Sequence, residues 1–194
     1  MEKQLPISVW PEWKIIEKIG EGSFGKVYKA QRIVQGKTFY SAIKGITIPS
    51  SQGELSSVRS ENPDEQSVKE YFHSLVEDCI QEVSTMEYFR GNSHVVSVED
   101  YKVVEYLEDI GWDIYIRMEY LTGFLDYCMG KELTEKEVIR LGIDLCKALE
   151  YCQKQNIIHR DIKPEQIDRQ LANFEKGFDY VDLSEPATIG NGII

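Results

Sequence analysis

The stretch WKIIEKIGEGSFGKVYKAQRIVQGKTFYSAIKGITI, residues 13–48, decides the fold of the first part of the chain. Apolar and polar residues alternate along it with a period near two, which is typical of strands with one buried face. The glycine-rich GEGSFG and the short QGK interrupt this alternation, as turns do. The stretch therefore predicts three antiparallel strands, at about residues 13–20, 25–34 and 38–47.

Three glycines in this stretch, Gly20, Gly22 and Gly25, have the G-x-G-x-x-G spacing that two unrelated folds use to approach phosphates. A dinucleotide-binding fold needs a helix directly after the third glycine. The residues that follow here, KVYKAQRI, alternate like a strand. The pattern therefore favours a hairpin whose backbone N–H groups fold over a triphosphate. A tight hairpin without a ligand is the alternative.

The next residues predict a loop and then a long helix. Residues 49–67 are polar and rich in serine, glutamate and proline, which indicates a mobile loop. Ser67 and Glu70 have the spacing of a capping box, which satisfies the free N–H groups at a helix start. Apolar residues then recur at helical spacing from Val68 to Met86.

The remaining pattern adds two strands and a second helix. Residues 95–106 and 112–120 alternate and predict strands joined by a turn at LEDIG. Thr134 and Glu137 form a second capping-box pattern, which predicts a helix of about 20 residues. The order is strands, helix, two strands and helix, with a joint between two parts near residues 121–123.

Composition argues against several classes of function. A net charge of −11 argues against a general nucleic-acid-binding role. No apolar run reaches the roughly 18 residues of a membrane span, and the first residues lack the apolar core of a signal peptide. The cysteines form no CxxC pair, so we interpret all four as buried thiols in a reducing compartment: Cys79, Cys128, Cys146 and Cys152. The expected location is cytoplasmic.

Negative charge is concentrated in one part of the chain. Residues 49–100 hold eleven acidic side chains against three basic ones. The simpler interpretation is a solvated face with a flexible loop. A docking surface for a basic partner is the alternative.

Lys44 is the first candidate for phosphate chemistry. It lies on the third predicted strand, two residues after the small Ala42. A lysine there would point from the sheet towards bound phosphates, and its charge would need a counter-ion. Glu82 is the predicted partner, because its position lies beside the apolar stripe of the long helix. The alternatives are a surface lysine, or a partner among three rival glutamates: Glu70, Glu77 and Glu87.

A second candidate is HRDIKPEQ, residues 159–166. The carboxylate of Asp161 is suited to accept a proton from an attacking hydroxyl, and Lys163 to steady the moving phosphoryl group. Arg160 places a cation where a phosphate could dock. We interpret His159 as a structural hydrogen-bonding residue rather than a base.

These pieces occur in one order: GEGSFGKV, SAIK, QEVSTM, IRMEYL and HRDIKPE. In that order the chain resembles a eukaryotic-type Ser/Thr protein kinase over roughly residues 10–166. The resemblance implies an α+β fold, with a five-stranded antiparallel N-lobe sheet and one long helix over residues 1–120. A partial, mainly helical C-lobe would follow over residues 121–194. The implied function is ATP-dependent transfer of a phosphoryl group to Ser/Thr hydroxyls of protein substrates, with Mg²⁺.

The resemblance also assigns roles to residues. Lys44 would hold the phosphates and pair with Glu82, while Asp161 would be the catalytic base with Lys163 beside it. Met118 would close the back of the pocket. The residues implied to contact ATP are Ile19, Gly20, Gly22, Gly25, Val27, Ala42, Lys44, Met118, Glu119 and Leu121.

The metal ligands depart from the family pattern. Gln166 stands where the family has an asparagine that binds magnesium, and its amide lies one methylene farther from the backbone. The family's D-F-G is absent at the expected distance. Asp182 in YVDLS is the preferred second ligand, and Asp179 remains the alternative.

The end of the chain also departs, because SEPATIGNGII contains no A-P-E. The helix near residues 134–155 is therefore expected to leave an apolar face bare, through which the chain would self-associate. A catalytically impaired, pseudokinase-like nucleotide-binding or interaction module is the alternative function.

Overall fold

The computed structural model describes residues 9–22, 25–62, 64–158, 162, 167–169 and 180–181. Their elements follow one another as β1 (Lys14–Gly22), β2 (Gly25–Val34), β3 (Lys37–Ile48), α1 (Gln52–Glu61), α2 (Glu65–Tyr88), β4 (Val98–Glu105), β5 (Trp112–Glu119), β6 (Thr122–Gly123), α3 (Phe124–Cys128), α4 (Glu135–Lys154), β7 (Ile167–Arg169) and β8 (Tyr180–Val181).

These described residues divide into two compact units. The first comprises the residues up to Thr85 together with Val98–Glu119, and the second comprises Met86–Ser97 together with those from Tyr120 onwards. In the part of the chain that the structure describes, no helix is both long and apolar enough to cross a membrane.

The first unit is built on a five-stranded antiparallel sheet with the strand order β1-β2-β3-β5-β4. This confirms the predicted α+β fold with its sheet and long helix, and the three strands predicted in residues 13–48 agree with β1, β2 and β3 within two residues. The β2–β3 hairpin turns at Gln35 and Gly36. Their φ angles of 49° and 76° are typical of a two-residue hairpin loop.

The sheet has two faces, because successive side chains of a strand point in opposite directions. The face that carries Ala42 and Lys44 of β3 is called the inner face, and the ladder places Met118 and Ile116 of β5 opposite them. The other is called the outer face, and four of its residues are Ser41, Ile43, Tyr115 and Arg117.

Helix α2 packs on the inner face. The Lys69 ammonium lies 2.7 Å from the Glu105 carboxylate of β4. The His73 ring meets the Trp112 ring of β5 edge to face, with centroids 5.8 Å apart. These contacts, with the burial of Phe72 on the same helix, fix α2 against the sheet and place its polar residues near β3.

The start of α2 differs from the prediction. The Asp64 carboxylate accepts hydrogen bonds from the backbone N–H groups of Gln66 at 3.3 Å and Ser67 at 3.0 Å. The Ser67 hydroxyl also donates to Asp64, at 2.7 Å. The predicted capping box at Ser67 is therefore wrong, because an acidic residue three positions earlier already satisfies the helix start.

The predicted loop over residues 49–67 is also wrong, because α1 lies within it. Ser51 caps this helix by accepting a hydrogen bond from the Glu54 N–H at 3.1 Å. Leu55 is its only buried residue, so the helix has no apolar stripe that the periodicity could reveal. Arg59 holds it in place through an ion pair with Asp109 at 2.7 Å. The serine and the glutamate three residues later were the available signal.

In the second unit, α4 begins with the predicted capping box. The Thr134 hydroxyl accepts from the Glu137 N–H at 3.3 Å, and the Glu137 carboxylate accepts from the Thr134 N–H at 2.9 Å. One side of α4 packs against the segment after α2, in a buried cluster of Phe89, Val95, Ala148 and Cys152. Its opposite side exposes Val138, Ile139 and Ile143. The self-association expected through that face remains a prediction.

The small sheet of the second unit was not predicted, and the burial of the cysteines, which lie in both units, differs from the prediction. Strands β6, β7 and β8 form a small antiparallel sheet, with Thr122 opposite Arg169 and Ile167 opposite Val181. Strands of two or three residues are too short to show an alternating pattern. The four cysteines are all free, but only Cys152 is buried. The prediction of four buried thiols is wrong because Cys146 lies on the exposed side of α4 and two others are half-buried.

Candidate functional site

Lys44 is a buried cation on the inner face. Its residue is only 3% exposed, and the ladder places it between Val27 of β2 and Ile116 of β5. Burying an ammonium group is costly unless opposite charge or a polar ligand meets it. The alternative of a surface lysine is therefore excluded.

Glu82 and Lys44 both lie close enough to the Cys79 thiol of α2, one helical turn before Glu82, to affect it. Burial raises the pKa of that thiol most, the Glu82 carboxylate raises it further, and the Lys44 ammonium lowers it. Opposite charges on β3 and α2 therefore share one neighbourhood.

The three rival glutamates have partners of their own. Glu70 accepts a hydrogen bond from Gln66 at 2.8 Å. Glu77 lies 3.6 Å from the ring of His73, and Glu87 lies 3.4 Å from Arg90. All three are exposed, whereas Glu82 is half-buried. These contacts favour Glu82, although the ion pair itself remains a prediction.

The glycine stretch forms the predicted hairpin, with Gly22 opposite Gly25 and Gly20 opposite Val27. Strand β2 starts at Gly25, so no helix follows the glycines and a dinucleotide-binding loop is excluded. Gly25 has a φ of +132°, and a Cβ there would lie 2.2 Å from the Gly45 carbonyl oxygen. Any other residue at this position would clash with β3.

The other residues expected to contact ATP have different surroundings. Ala42 and Met118 are neighbours across the β3–β5 ladder and are 6% and 4% exposed. Val27 and Glu119 are half-buried, and Ile19 is an exposed apolar residue of β1. The first unit thus places a small side chain, a buried methionine and a buried lysine on one face. Leu121 belongs to the second unit, where it is half-buried before β6.

The remaining predicted site residues lie outside the described part of the chain: Asp161, Lys163, Gln166, Asp179 and Asp182. Strand β8 comprises Tyr180 and Val181. It therefore begins directly after Asp179 in the sequence and ends directly before Asp182. Among the residues that the structure describes, no group of three or more His, Cys, Asp or Glu could hold a metal ion.

Ser41 is a residue of this region that sequence reasoning missed. It is fully buried, and its hydroxyl donates to the Met118 carbonyl oxygen at 2.6 Å. The same hydroxyl lies 3.2 Å from the Glu99 carboxylate. The contact joins strands 77 residues apart in the chain, so a local pattern carries no signal for it.

Comparison with known proteins agrees with this geometry. The chain matches the family described as protein kinase domain over residues 13–170. It is 25% identical over 173 residues to cyclin-dependent kinase B2-1 of Arabidopsis thaliana, covering 86% of this chain and 48% of that protein. It is 31% identical over 157 residues to serine/threonine-protein kinase TIO of Arabidopsis thaliana, covering 80% of this chain and 10% of that protein.

A third relative is the SNF1-related protein kinase catalytic subunit alpha KIN12 of Arabidopsis thaliana, 27% identical over 164 residues. That match covers 83% of this chain and 28% of the relative. The chain thus spans about half or less of the length of these relatives. The family match covers most of the chain and includes the glycine hairpin, Lys44 and Glu82. The chain belongs to the protein kinase domain family.

Proposed function

We propose that the chain binds ATP on the inner face of its five-stranded sheet and transfers the γ-phosphoryl group to Ser/Thr hydroxyls of proteins. The observation that carries the proposal is the burial of Lys44 beside Ala42, on the strand paired with the glycine hairpin. A buried ammonium needs an anionic partner. The phosphates of ATP, together with Glu82, supply that charge.

The described residues suit the nucleotide. The small side chain of Ala42 would admit a flat ring on the inner face, and Met118, opposite it on β5, would bound that site. The backbone of β5 ends there at Glu119, where its N–H and C=O groups can pair with the adenine edge. Leu121 would add a backbone contact, and the glycine hairpin would cover the phosphates with backbone N–H groups.

The chemical step is assigned by resemblance to residues outside the described part of the chain. Asp161 would accept the proton of the substrate hydroxyl, whose oxygen forms the new bond to the γ-phosphorus while the bond to ADP breaks. Lys163 would stabilise the charge on the transferred group. When bound, magnesium neutralises charge on the phosphates. Gln166 and Asp182 would hold it, and the end of β8 directly before Asp182 supports that residue over Asp179.

The two units would correspond to the two lobes of a protein kinase, with residues 1–120 as the nucleotide-binding lobe and 121–194 as part of the substrate lobe. A cytoplasmic location is part of the same proposal.

The test is a titration of the chain with ATP and Mg²⁺ followed by thermal unfolding, together with transfer of labelled phosphate to a generic basic protein. We expect a rise in melting temperature with ATP, because a ligand that binds only the folded state stabilises it. Asp161→Asn should keep the ATP-induced rise and abolish transfer. An unchanged rate of transfer in this variant would remove Asp161 from the role of base.

The same experiment separates the alternative function. A chain that binds ATP but transfers no phosphate would be an impaired, pseudokinase-like module. Gln166 favours that outcome, since its longer side chain must still meet the near-ideal octahedral geometry of magnesium. Replacing Gln166 with asparagine should raise the transfer rate if this ligand limits it.

A further inference from the structure

The outer face of the sheet carries a half-buried cation, Arg117, and two tryptophans of the N-terminal segment contact it. This tryptophan segment, Val9–Trp13, turns back on itself through a hydrogen bond from the Trp13 N–H to the Trp10 carbonyl at 2.9 Å. Trp10 and Trp13 are 7% and 6% exposed, and they pack in one cluster with Ala30, Ile43 and Tyr115 of the sheet.

The guanidinium of Arg117 lies against both indole rings. Its central carbon is 5.6 Å from the centre of the Trp10 ring and 5.1 Å from that of Trp13. Both distances are within the range of a cation–π interaction. Trp10 is also fixed by its indole N–H, which donates to Asp100 at 2.6 Å. Asp100 is the residue directly opposite Arg117 in the β4–β5 ladder. The tryptophan segment therefore restricts the Arg117 side chain from two sides.

Arg117 is paired with Glu99, which occupies a bulge of β4. Val98 lies opposite Met118 and Asp100 lies opposite Arg117, so Glu99 is an extra residue between them. A bulge of this kind re-aims a side chain. The Glu99 carboxylate forms an ion pair with the guanidinium of Arg117 and also meets the Ser41 hydroxyl at 3.2 Å.

Ser41 completes the connection to the nucleotide side of the sheet. Its hydroxyl donates to the backbone carbonyl of Met118 at 2.6 Å, and its ladder partner is Glu119. Under the proposed function Met118 bounds the adenine site and the backbone of Glu119 meets the adenine edge. One chain of contacts thus runs from the tryptophan segment through Arg117, Glu99 and Ser41 to that backbone.

We propose that Arg117 is a positioning residue for nucleotide binding, which acts through Glu99 and Ser41 on the backbone of Met118 and Glu119 and is itself set by the tryptophan segment. This inference rests on the proposed function. It adds that the N-terminal segment, on the face opposite Lys44, sets the affinity for ATP. A displaced segment would leave Arg117 unstacked and the end of β5 less ordered.

The contacts between the tryptophan segment and Arg117 are suited to reversible rather than permanent binding of the segment. The ring nitrogen of Trp13 and the Nε of Arg117 are buried, and neither has a hydrogen-bond acceptor among the described residues. An unpaired buried donor offsets part of the stabilisation that stacking provides. The segment is therefore held more weakly than its buried area suggests.

The test measures the affinity of the full 194-residue chain for a non-hydrolysable ATP analogue with Mg²⁺ by calorimetry. Arg117→Lys keeps the charge beside Glu99 but loses the planar group that stacks on indole, and Ser41→Ala removes the hydrogen bond to Met118. We expect each variant to bind about fivefold more weakly, which corresponds to roughly one hydrogen bond.

Two matched controls should bind the analogue as the parent does. Ser56→Ala removes a hydroxyl that also donates to a backbone carbonyl, that of Gln52 at 2.8 Å, but within α1. Arg59→Lys changes an ion-paired arginine that contacts Asp109 and Glu65. The melting temperatures of all four variants show whether a lower affinity results only from unfolding of the variant.

Tryptophan fluorescence follows the tryptophan segment directly. The chain has three tryptophans, so Trp112→Phe leaves only Trp10 and Trp13 to emit. We expect the analogue to change their fluorescence, and Ser41→Ala in the same background to remove that change. If Trp112→Phe does not fold, the calorimetry alone decides.

The outcomes separate the two proposals. Parent-like affinity in both Arg117→Lys and Ser41→Ala, or an unchanged tryptophan emission at saturation, overturns the role of Arg117 while leaving ATP binding intact. A parent chain that does not bind the analogue at all refutes the proposed function, and the inference with it.

Discussion

The five-stranded sheet carries a buried cation, Lys44, on its inner face and a half-buried cation, Arg117, on its outer face, and the two are held in different ways. On the inner face, Lys44 lies between the aliphatic side chains of Val27 and Ile116. The Glu82 carboxylate of α2 has the opposite charge and affects the same Cys79 thiol as Lys44 does. On the outer face Arg117 lies against two indole rings and pairs with Glu99.

The difference follows from the chemistry of the two side chains. A guanidinium is planar and weakly hydrated, so aromatic rings and one carboxylate can hold it without a ligand. An ammonium is a compact and strongly hydrated charge, and aliphatic neighbours give it nothing in return for its lost water. Under the proposed function the inner face receives the charged ligand, and under the further inference the outer face supports that site.

The largest expected effect tests the inner cation. Lys44→Met should lower phosphate transfer at least about 100-fold, the usual cost of removing one electrostatic stabiliser of a reaction. The melting temperature should fall as well, because removing one partner of the proposed ion pair leaves the half-buried Glu82 carboxylate without its counter-ion, so transfer is compared at a temperature at which both chains are folded. Labelled-phosphate transfer and thermal unfolding measure the two quantities.

Lys102→Met is the matched control, since Lys102 is an exposed lysine of the same sheet. It should leave the transfer rate unchanged. Should Lys44→Met retain the parent rate, the contrast between Lys44 and Arg117 would be lost.

A moderate effect is expected on the outer face, where two tryptophans have similar burial but different hydrogen bonding. Trp10→Phe breaks the N–H bond to Asp100 and should lower the free energy of unfolding by about 1.5–3 kcal/mol more than ring shrinkage alone does, as for bonds to charged groups. Trp13→Phe shrinks the ring equally, but removes a donor that has no acceptor among the described residues.

Urea unfolding of both variants supplies the difference. A larger loss in Trp13→Phe than in Trp10→Phe would show that the Asp100 bond does not anchor the tryptophan segment. The weak hold inferred for Trp13 would then be wrong as well.

The smallest effect concerns the contact of α2 with the inner face. The hydrogen bond and charge of Lys69 hold the pKa of Glu105 below its ordinary value. A lowered pKa in the folded state means that the contribution is complete above the unfolded glutamate pKa of about 4.3 and is lost as the pH falls through the folded value.

Glu105→Gln should therefore lower the melting temperature slightly near neutral pH, and the difference from the parent should shrink below about pH 4. High salt should shrink it too, because both groups are exposed. A difference that stays constant from neutral to acidic pH would show that packing, not the ion pair, causes it.

Comparison of the two helices of the first unit shows how far sequence reasoning reaches. Helix α2 is amphipathic, and its apolar residues from Val68 to Met86 predicted it. Helix α1 buries only Leu55 and is held by caps and by Arg59, so the same reasoning made it a loop. Periodicity detects a helix only when packing on an apolar stripe stabilises it.

The candidate site likewise has features that the sequence predicted and features that it did not. The hairpin after the glycines and the strand position of Lys44 were predictable, because alternation and turn residues act over a few positions. The burial of Lys44, the other partners of the rival glutamates and the contacts of Ser41 were not. Each depends on residues far apart in the chain that only the β3–β5 pairing and the packing of α2 bring together.

The sequence by itself determined the strands of the sheet, the long helix, the capping box of α4 and the resemblance to protein kinases, since each rests on local propensity or on the spacing of motifs. Only the tertiary structure decided that Arg117 lies between Trp10 and Trp13 and faces away from Lys44. The physical reason is that side chains alternate along a strand, so the sequence position fixes which face a side chain shares with others of its strand. Which residues it contacts on that face depends on the pairing register, on the bulge at Glu99 and on the packing of the tryptophan segment against the sheet.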